Sequence, residues 1–155
     1  MSSKPGRAWF DGGNTEQLFI IKGGSTVVFS GIGFRNGYLK TPTGTGQTPA
    51  KGGCIAIDGS NVDLKDAKFD NCQAVQSDSY SSTTNPAYGG GLSVDGWSAL
   101  SLHDVEFTSN SAPNGGDMYI EPSVNYTCTS GCSNTGGFYV SNDFRCTTPV
   151  DALIG

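Results

Sequence analysis

Short alternations of apolar and polar residues recur along this chain at fixed positions before a phenylalanine. They fall in residues 19–34, 55–69 and 92–107. In each segment, apolar residues alternate with polar residues or glycine in three short clusters, a pattern typical of strands with one buried face. Gly-Gly, Asp-Gly, Ser-Gly, Lys-Asp or His-Asp dipeptides separate the clusters, and the chain is expected to turn at these points. The pattern predicts three short strands per repeat.

Six apolar positions per repeat coincide when the segments are aligned on the final phenylalanine, with one residue deleted in the Asp58-Gly59 turn. They are Phe19, Ile21, Val27, Phe29, Ile32 and Phe34; Ile55, Ile57, Val62, Leu64, Ala67 and Phe69; and Leu92, Val94, Leu100, Leu102, Val105 and Phe107. Because these strands are too short to bury their apolar faces alone, we expect the repeats to stack. Each inward residue would then lie about 4.8 Å from its counterpart. The alternative is an antiparallel sandwich, whose strands need not share an inward pattern.

The chain is therefore expected to be all-β, a right-handed parallel β-helix (a solenoid) of about three to five coils. We expect one domain spanning residues 1–155, with the repeat coils in residues 8–120. Residues 8–13 are interpreted as the last strand of a preceding coil, and residues 115–120 match the opening of a further repeat. The pattern then fades, so residues 121–155 are predicted to form an irregular, cysteine-containing cap. Within them, residues 136–140 are either another coil or part of this cap.

Composition and charge narrow the classes of protein further. Charged residues make up 15% of the chain, which contains 23 glycines; an average soluble domain has about 25% charged residues. The net charge of -5 argues against nucleic-acid binding, which needs clustered Lys and Arg. No apolar run approaches the roughly 18 residues of a transmembrane helix. We therefore expect neither a nucleic-acid partner nor a transmembrane segment.

All five cysteines are candidates for structural disulfides: Cys54, Cys72, Cys128, Cys132 and Cys146. The last three form a C-x3-C-x13-C cluster. A zinc site would need a fourth ligand, and the single histidine, His103, is distant in sequence. We expect a disulfide-stapled C-terminal cap in an oxidising compartment, with free thiols as the alternative. The odd number leaves at least one cysteine unpaired within the chain.

Several features bear on where the protein acts. Asn125-Tyr126-Thr127 is a sequon, which makes Asn125 a candidate for N-glycosylation. The N-terminal residues lack the apolar core of a signal peptide, so the chain is either cytosolic or cut from a longer, secreted protein, and we favour the second interpretation. A short β-helix exposes apolar ends and unpaired strand edges. We therefore expect an extracellular or cell-surface location. The chain would be part of a longer protein, or its N-terminal end would make an end-to-end or edge contact with another chain.

The repeat resembles that of a known family. Gly52-Gly53-Cys54-Ile55, Gly89-Gly90-Gly91-Leu92 and Phe107-Thr108-Ser109-Asn110 are similar to the Gly-Gly-Ala-aliphatic and Phe-x-x-Asn repeats of polymorphic outer membrane proteins. More broadly, they resemble the pectin-lyase-like right-handed β-helix superfamily. No repeat here has alanine after Gly-Gly, and only residues 107–110 match Phe-x-x-Asn strictly. The resemblance covers residues 9–120 and implies a β-helix with a role in adhesion.

Superfamily members that cut polyuronates use clustered aspartates on the outer face. The equivalent candidates here are Asp58, Asp66, Asp95, Asp104 and His103. They lie at predicted turns and corners, where aspartate commonly bonds its own backbone. No Asp-Asp pair, Asn-Thr-Asp triplet or Arg-Ile-Lys triplet occurs. We therefore assign no catalytic residue, metal ligand or cofactor. The asparagines that follow each phenylalanine are interpreted as structural, because asparagine at a corner can bond neighbouring backbone groups.

Two long inserts, residues 37–51 and 73–88, and a short one, residues 111–114, interrupt the repeat at the same point. Stacked repeats would place them along one edge. The candidate binding residues on this edge, for a glycan or a protein partner, are Tyr38, Lys40, Tyr80 and Tyr88. The alternative is that the inserts are flexible decorations.

Together these features favour a non-catalytic extracellular or cell-surface scaffold or adhesion module. The alternative is a polysaccharide-binding or polysaccharide-processing protein, lyase-like or hydrolase-like.

Overall fold

The computed structural model describes residues 6–42, 48–77, 86–130, 132 and 137–140. Within these residues the regular elements are thirteen strands, and no helix occurs. In chain order they are β1 (Ala8–Asp11), β2 (Phe19–Lys22), β3 (Thr26–Ser30), β4 (Ile32–Arg35), β5 (Tyr38–Lys40), β6 (Ile55–Asp58), β7 (Asn61–Asp70), β8 (Gln73–Val75), β9 (Leu92–Asp95), β10 (Ala99–Thr108), β11 (Met118–Ile120), β12 (Asn125–Ser130) and β13 (Phe138–Val140). The all-β prediction is confirmed for this part of the chain.

The strands form three sheets, and every strand pair that the structure describes is parallel. Sheet A contains β1, β3, β4, β7, β10 and β12; sheet B contains β2, β6, β9, β11 and β13; sheet C contains β5 and β8. Each strand pairs with the equivalent strand of an adjacent repeat rather than with its neighbour in the chain. The described pairs therefore exclude the antiparallel sandwich.

The observed register reproduces the alignment made on the phenylalanines. Four inward positions match across all three repeats: Phe19–Ile55–Leu92, Ile21–Ile57–Val94, Val27–Val62–Leu100 and Phe29–Leu64–Leu102. The phenylalanines match too, with Phe34 opposite Phe69 and Phe69 opposite Phe107. The inward positions supply most of the main core cluster, in which those three phenylalanines are at most 1% exposed.

Parallel pairing extends to both sides of these repeats. β1 pairs with β4, which places Phe10 beside Phe34. β12 pairs with β10 and β13 pairs with β11, so strands continue into residues 121–155. A register shift opposite Leu102 and His103 interrupts the two-residue alternation of β12. This shift explains why the sequence pattern fades there although the pairing continues.

Left-handed residues mark equivalent corners in successive repeats. Asp66 and Asp104 have φ of 46° and 52°, and Asn36 and Asn71 have φ of 53° and 54°. Asn71 Nδ2 donates a 2.8 Å hydrogen bond to Asn36 Oδ1, which links the two corners. Asparagine and aspartate adopt this conformation more readily than most residues. The corners therefore have the structural role expected for the asparagines.

The described residues contain two disulfides, Cys54–Cys72 and Cys128–Cys132. The second lies in the C-terminal segment, and the first joins the start of β6 to the end of β7. Cys146, the remaining disulfide candidate, lies outside the described residues. No group of three His, Cys, Asp or Glu side chains suited to a metal ion occurs in the part of the chain that the structure describes. Within that same part, no helix is long and apolar enough to cross a membrane.

Candidate functional site

The inserts begin and end in register along one edge of the molecule. At their starts, β5 pairs with β8, so that Tyr38 lies opposite Gln73. At their ends, isolated parallel bridges join Lys51 to Tyr88 and Tyr88 to Asn114. The repeats therefore bring segments that are distant in sequence onto one continuous edge, which we call the loop edge.

A small apolar cluster packs the described ends of the inserts against one another. Ala50, Ala74 and Ala87 are buried there, with Leu39 and Ala112 against them. In addition, the main-chain N–H of Ala50 donates a 3.1 Å hydrogen bond to Thr41 Oγ1 across the first insert. These parts of the inserts are thus held by packing and hydrogen bonds, and they can position side chains at their ends.

The predicted binding residues are divided between two places. Tyr38 and Lys40 line an open cavity of about 680 Å³ together with residues 15–18 and Ile20. Tyr88 instead packs against Tyr119, with ring centroids 4.5 Å apart. Tyr80 lies outside the described residues. The described candidates therefore share the loop edge, but Tyr38 and Lys40 line a cavity that does not include Tyr88.

A second opening, which we call the sheet-face groove, crosses the outer surface of sheet B. It has a volume of about 330 Å³ and is lined by Lys51, Ala56, Ile57, Asp58, Asp95, Gly96 and Glu121. Ile20, Ala56, Ser93 and Tyr119 occupy the same outward register position on adjacent strands of sheet B. Of these four residues, Ala56 lines the groove, and its small side chain leaves room there.

Two residues of the groove lining form an ion pair. Lys51 Nζ is 2.9 Å from Asp95 Oδ1, although the two residues are 44 positions apart in the chain. Ser93 Oγ donates a 3.2 Å hydrogen bond to Asp95 Oδ2. With its side chain 10% exposed, the Asp95 carboxylate is held across the surface of sheet B and bonds Lys51 and Ser93 rather than its own turn. The expectation of a self-bonded turn aspartate does not hold for Asp95.

Two further acidic residues line the same groove. Asp58 lies directly opposite Asp95 on the adjacent strand. Glu121 follows β11, and its Oε2 accepts hydrogen bonds from Gly96 N at 2.9 Å and from Ser123 Oγ at 3.0 Å. With one lysine against three carboxylates, the lining is net negative at neutral pH.

Lys51, Tyr119 and Glu121 were not predicted as site residues. For Tyr119, the sequence offered one signal. This residue lies between the inward residues Met118 and Ile120, and this alternation predicts that its side chain faces away from the core. Lys51 is the last residue of an insert whose path the sequence does not predict, and Glu121 lies beyond the predicted repeats. Their convergence depends on the stacking of the repeats.

Two of the other polar candidates, Asp66 and His103, have partners outside the groove. Asp66 Oδ1 lies 2.9 Å from Arg7 Nη2. Thr129 Oγ1 is in hydrogen-bond contact with His103 Nδ1, and His103 Nε2 lies 3.8 Å from Asp63 Oδ1. His103 therefore lies next to the corner residue Asp104 and contacts polar side chains of two adjacent strands of sheet A.

The structure thus defines an all-β protein of in-register parallel repeats with an acidic groove on one sheet. A scan against protein-family models and searches of curated proteins and solved structures find no match to this chain.

Proposed function

We propose that the chain is a right-handed parallel β-helix that serves as a non-catalytic extracellular or cell-surface scaffold or adhesion module, and that it binds a glycan at the sheet-face groove. The single observation that carries this proposal is the in-register convergence of the insert ends beside the groove. Lys51 and Tyr88 are bridged there, and Tyr88 packs on Tyr119. Tyrosine rings combine an apolar face with a polar hydroxyl, and this combination suits the mixed surface of a sugar.

Several observations support the fold and location in this proposal. The register of sheets A and B and the resemblance to pectin-lyase-like and polymorphic outer membrane repeats support a β-helix. The disulfides Cys54–Cys72 and Cys128–Cys132 support an oxidising, extracellular environment. Asn125, the glycosylation candidate, is exposed on β12.

The N-terminal side supports membership of a longer protein or an assembly. Among the described residues, β1 and β2 each pair with a strand on one side only. Phe10 is 42% exposed and Trp9 37% exposed at this edge. Unpaired strand edges and exposed aromatic rings are features that proteins usually cover. A further coil or another chain would cover them.

Binding to a panel of soluble oligosaccharides, measured by isothermal titration calorimetry, tests the glycan-binding proposal. Tyr119→Ala and Tyr88→Ala should each weaken binding by about 10-fold, because each removes half of the aromatic pair. Tyr38→Ala is the matched control, since it removes a tyrosine from the other cavity of the loop edge. Equal losses in all three variants, or no binding by the wild-type chain, would refute the groove as the binding site. If binding is unchanged after removal of residues 43–47 and 78–85, the middle parts of the two long inserts do not contribute to glycan recognition.

A polysaccharide-processing enzyme is the alternative function, and the position of Asp58 opposite Asp95 favours it. Glycoside hydrolysis uses two carboxylates that flank the scissile bond. Incubation with polyuronates and neutral polysaccharides, followed by absorbance and reducing-end measurements, separates the two functions. Turnover by the wild-type chain that is lost in Asp95→Asn would replace the scaffold proposal with an enzymatic one.

A further inference from the structure

We infer that the sheet-face groove selects a cationic glycan, a hexosamine oligomer with free amino groups, over neutral and acidic glycans. The inference rests on the proposed glycan-binding function and adds the charge class of the ligand.

The lysine in the groove is already engaged. Asp95 binds Lys51 through one carboxylate oxygen and Ser93 through the other. An acidic sugar would therefore have to compete with Asp95 for Lys51. It would also approach Asp58 and Glu121, and like charges disfavour such an approach. The arrangement thus selects against polyuronates.

The other two carboxylates retain capacity to accept hydrogen bonds. Within the described residues, no donor reaches the carboxylate of Asp58, and Glu121 uses only Oε2. An ammonium group carries three donors and no acceptor. Its hydrogen bonds to carboxylates are about twice as strong as those between neutral groups. A neutral sugar would fill the groove while leaving these carboxylates without a cationic partner, so the amino sugar is favoured.

Aromatic residues adjoin the acidic lining through its neighbours in the fold. Tyr88 is bridged to Lys51, a residue of the lining, and packs on Tyr119. Trp97 follows Gly96, a residue of the groove lining, and is 89% exposed. Glu121 accepts a hydrogen bond from Gly96 N, and Ser123 Oγ donates one to Gly96 O, so the turn that carries Trp97 is held in place. Cations are attracted to the faces of tyrosine and tryptophan rings, and tryptophan is the stronger partner.

The sheet also argues for a glycan over a basic peptide. β6, β9 and β11 each have a parallel partner on both sides. Their main-chain groups are therefore already paired, and a peptide cannot add to the sheet as an extra strand within the groove. Recognition must come from side chains, which suits a chain of pyranose rings.

The test compares four soluble oligomers of similar length by calorimetry, below the pKa of the sugar amine: β-1,4-linked glucosamine, its N-acetylated form, oligogalacturonate and oligolysine. The glucosamine oligomer should bind at least about 10-fold more tightly than the other three, and added salt should weaken its binding. Asp58→Asn/Glu121→Gln, which keeps the shape of both side chains, should lose about 10-fold in affinity. Asp104→Asn, an exposed carboxylate outside the groove, is the matched control and should bind like the wild-type chain.

The outcomes separate this inference from the proposed function. Equal binding of the glucosamine oligomer and its N-acetylated form would leave glycan binding intact and overturn the charge selectivity. A preference for oligogalacturonate, or equal binding of oligolysine, would overturn the ligand class. Absence of binding to every sugar would overturn the proposed function as well.

Discussion

Phe69 and Phe107 stack with ring centroids 4.9 Å apart and planes inclined by 9°. On its other side, Phe69 stacks on Phe34 at 4.9 Å. Phe69→Ala would leave a cavity between two rings that belong to neighbouring strands, so we expect unfolding free energy to fall by about 3–5 kcal/mol. Urea denaturation measures this loss. Val28→Ala, which shortens an apolar side chain that is 58% exposed, should change stability by less than about 0.5 kcal/mol. Similar midpoints for the two variants would contradict a core role for Phe69.

The buried side chain of Asn110 forms hydrogen bonds with residues 69–72 and with Asp117. Its Oδ1 accepts from Cys72 N at 2.9 Å, and its Nδ2 donates to Phe69 O at 3.2 Å and to Asp117 Oδ1 at 2.8 Å. Replacement by alanine leaves buried polar groups without partners, so we expect a loss of about 1–3 kcal/mol. Chemical denaturation measures this loss in the free energy of unfolding. Asn61→Ala, at an exposed position, is the control and should change stability little. Equal losses in the two variants would contradict a structural role for the Asn110 hydrogen bonds.

Gly53 lies at a close approach between adjacent repeats. A Cβ at this position would lie 2.3 Å from Gly90 O and 2.5 Å from Gln73 N. Since both atoms belong to the main chain, Gly53→Ala should force the repeats apart and destabilise the fold by about 1–3 kcal/mol. Thermal unfolding measures this effect. Gly6→Ala is the control, because no atom lies within 4 Å of the added carbon. A melting temperature for Gly53→Ala equal to that of Gly6→Ala would rule out the close approach.

The disulfide between Cys54 and Cys72 joins residues 18 positions apart. A closed loop of this size restricts the unfolded chain, so Cys54→Ser/Cys72→Ser should lower unfolding free energy by about 3 kcal/mol. Denaturation of the oxidised protein and the double variant measures the difference. Alkylation of the unfolded, non-reduced wild-type chain should leave both cysteines unmodified in the mass spectrum. Alkylation of either thiol would disprove the pairing.

Lys68 and Glu106 face each other across β7 and β10 and should make stability depend on pH. The hydrogen bond from Lys68 Nζ to Glu106 Oε1, 2.8 Å long, lowers the pKa of Glu106 below its ordinary value of 4.5. The unfolded chain therefore binds this proton more readily than the folded chain. The stabilisation is present above pH 4.5 and is lost as the pH falls through the lower, folded pKa.

Both side chains reach solvent, so the expected effect at neutral pH is only about 0.2–1 kcal/mol. Lys68→Met should lose this amount at neutral pH, and its difference from the wild-type chain should shrink in acid. Denaturation curves across the pH range measure it. Adding Glu106→Gln to the Lys68→Met variant is the control and should remove the remaining pH dependence of this pair. A difference that grows as the pH falls would have the wrong sign.

Inward residues made much of the fold predictable. Phe34, Phe69 and Phe107 could be aligned in advance because burial requires an apolar side chain at the same point of every repeat. The pairing of β12 with β10 was not predicted, because its register shift breaks the apolar–polar alternation that was used to align the repeats. Likewise, five cysteines allow many pairings, and only the proximity of Cys54 and Cys72 in the fold selects one.

The sequence by itself determined the strands, their inward faces and the points where the inserts leave the repeat, because apolar burial and turn chemistry act on neighbouring residues. Only the tertiary structure decided which outward side chains meet. Lys51 reaches Asp95, and Tyr88 packs on Tyr119, because stacked repeats place an insert end beside a strand of the next repeat. Outward positions follow no apolar period, so the sheet-face groove and its charge follow from register and stacking.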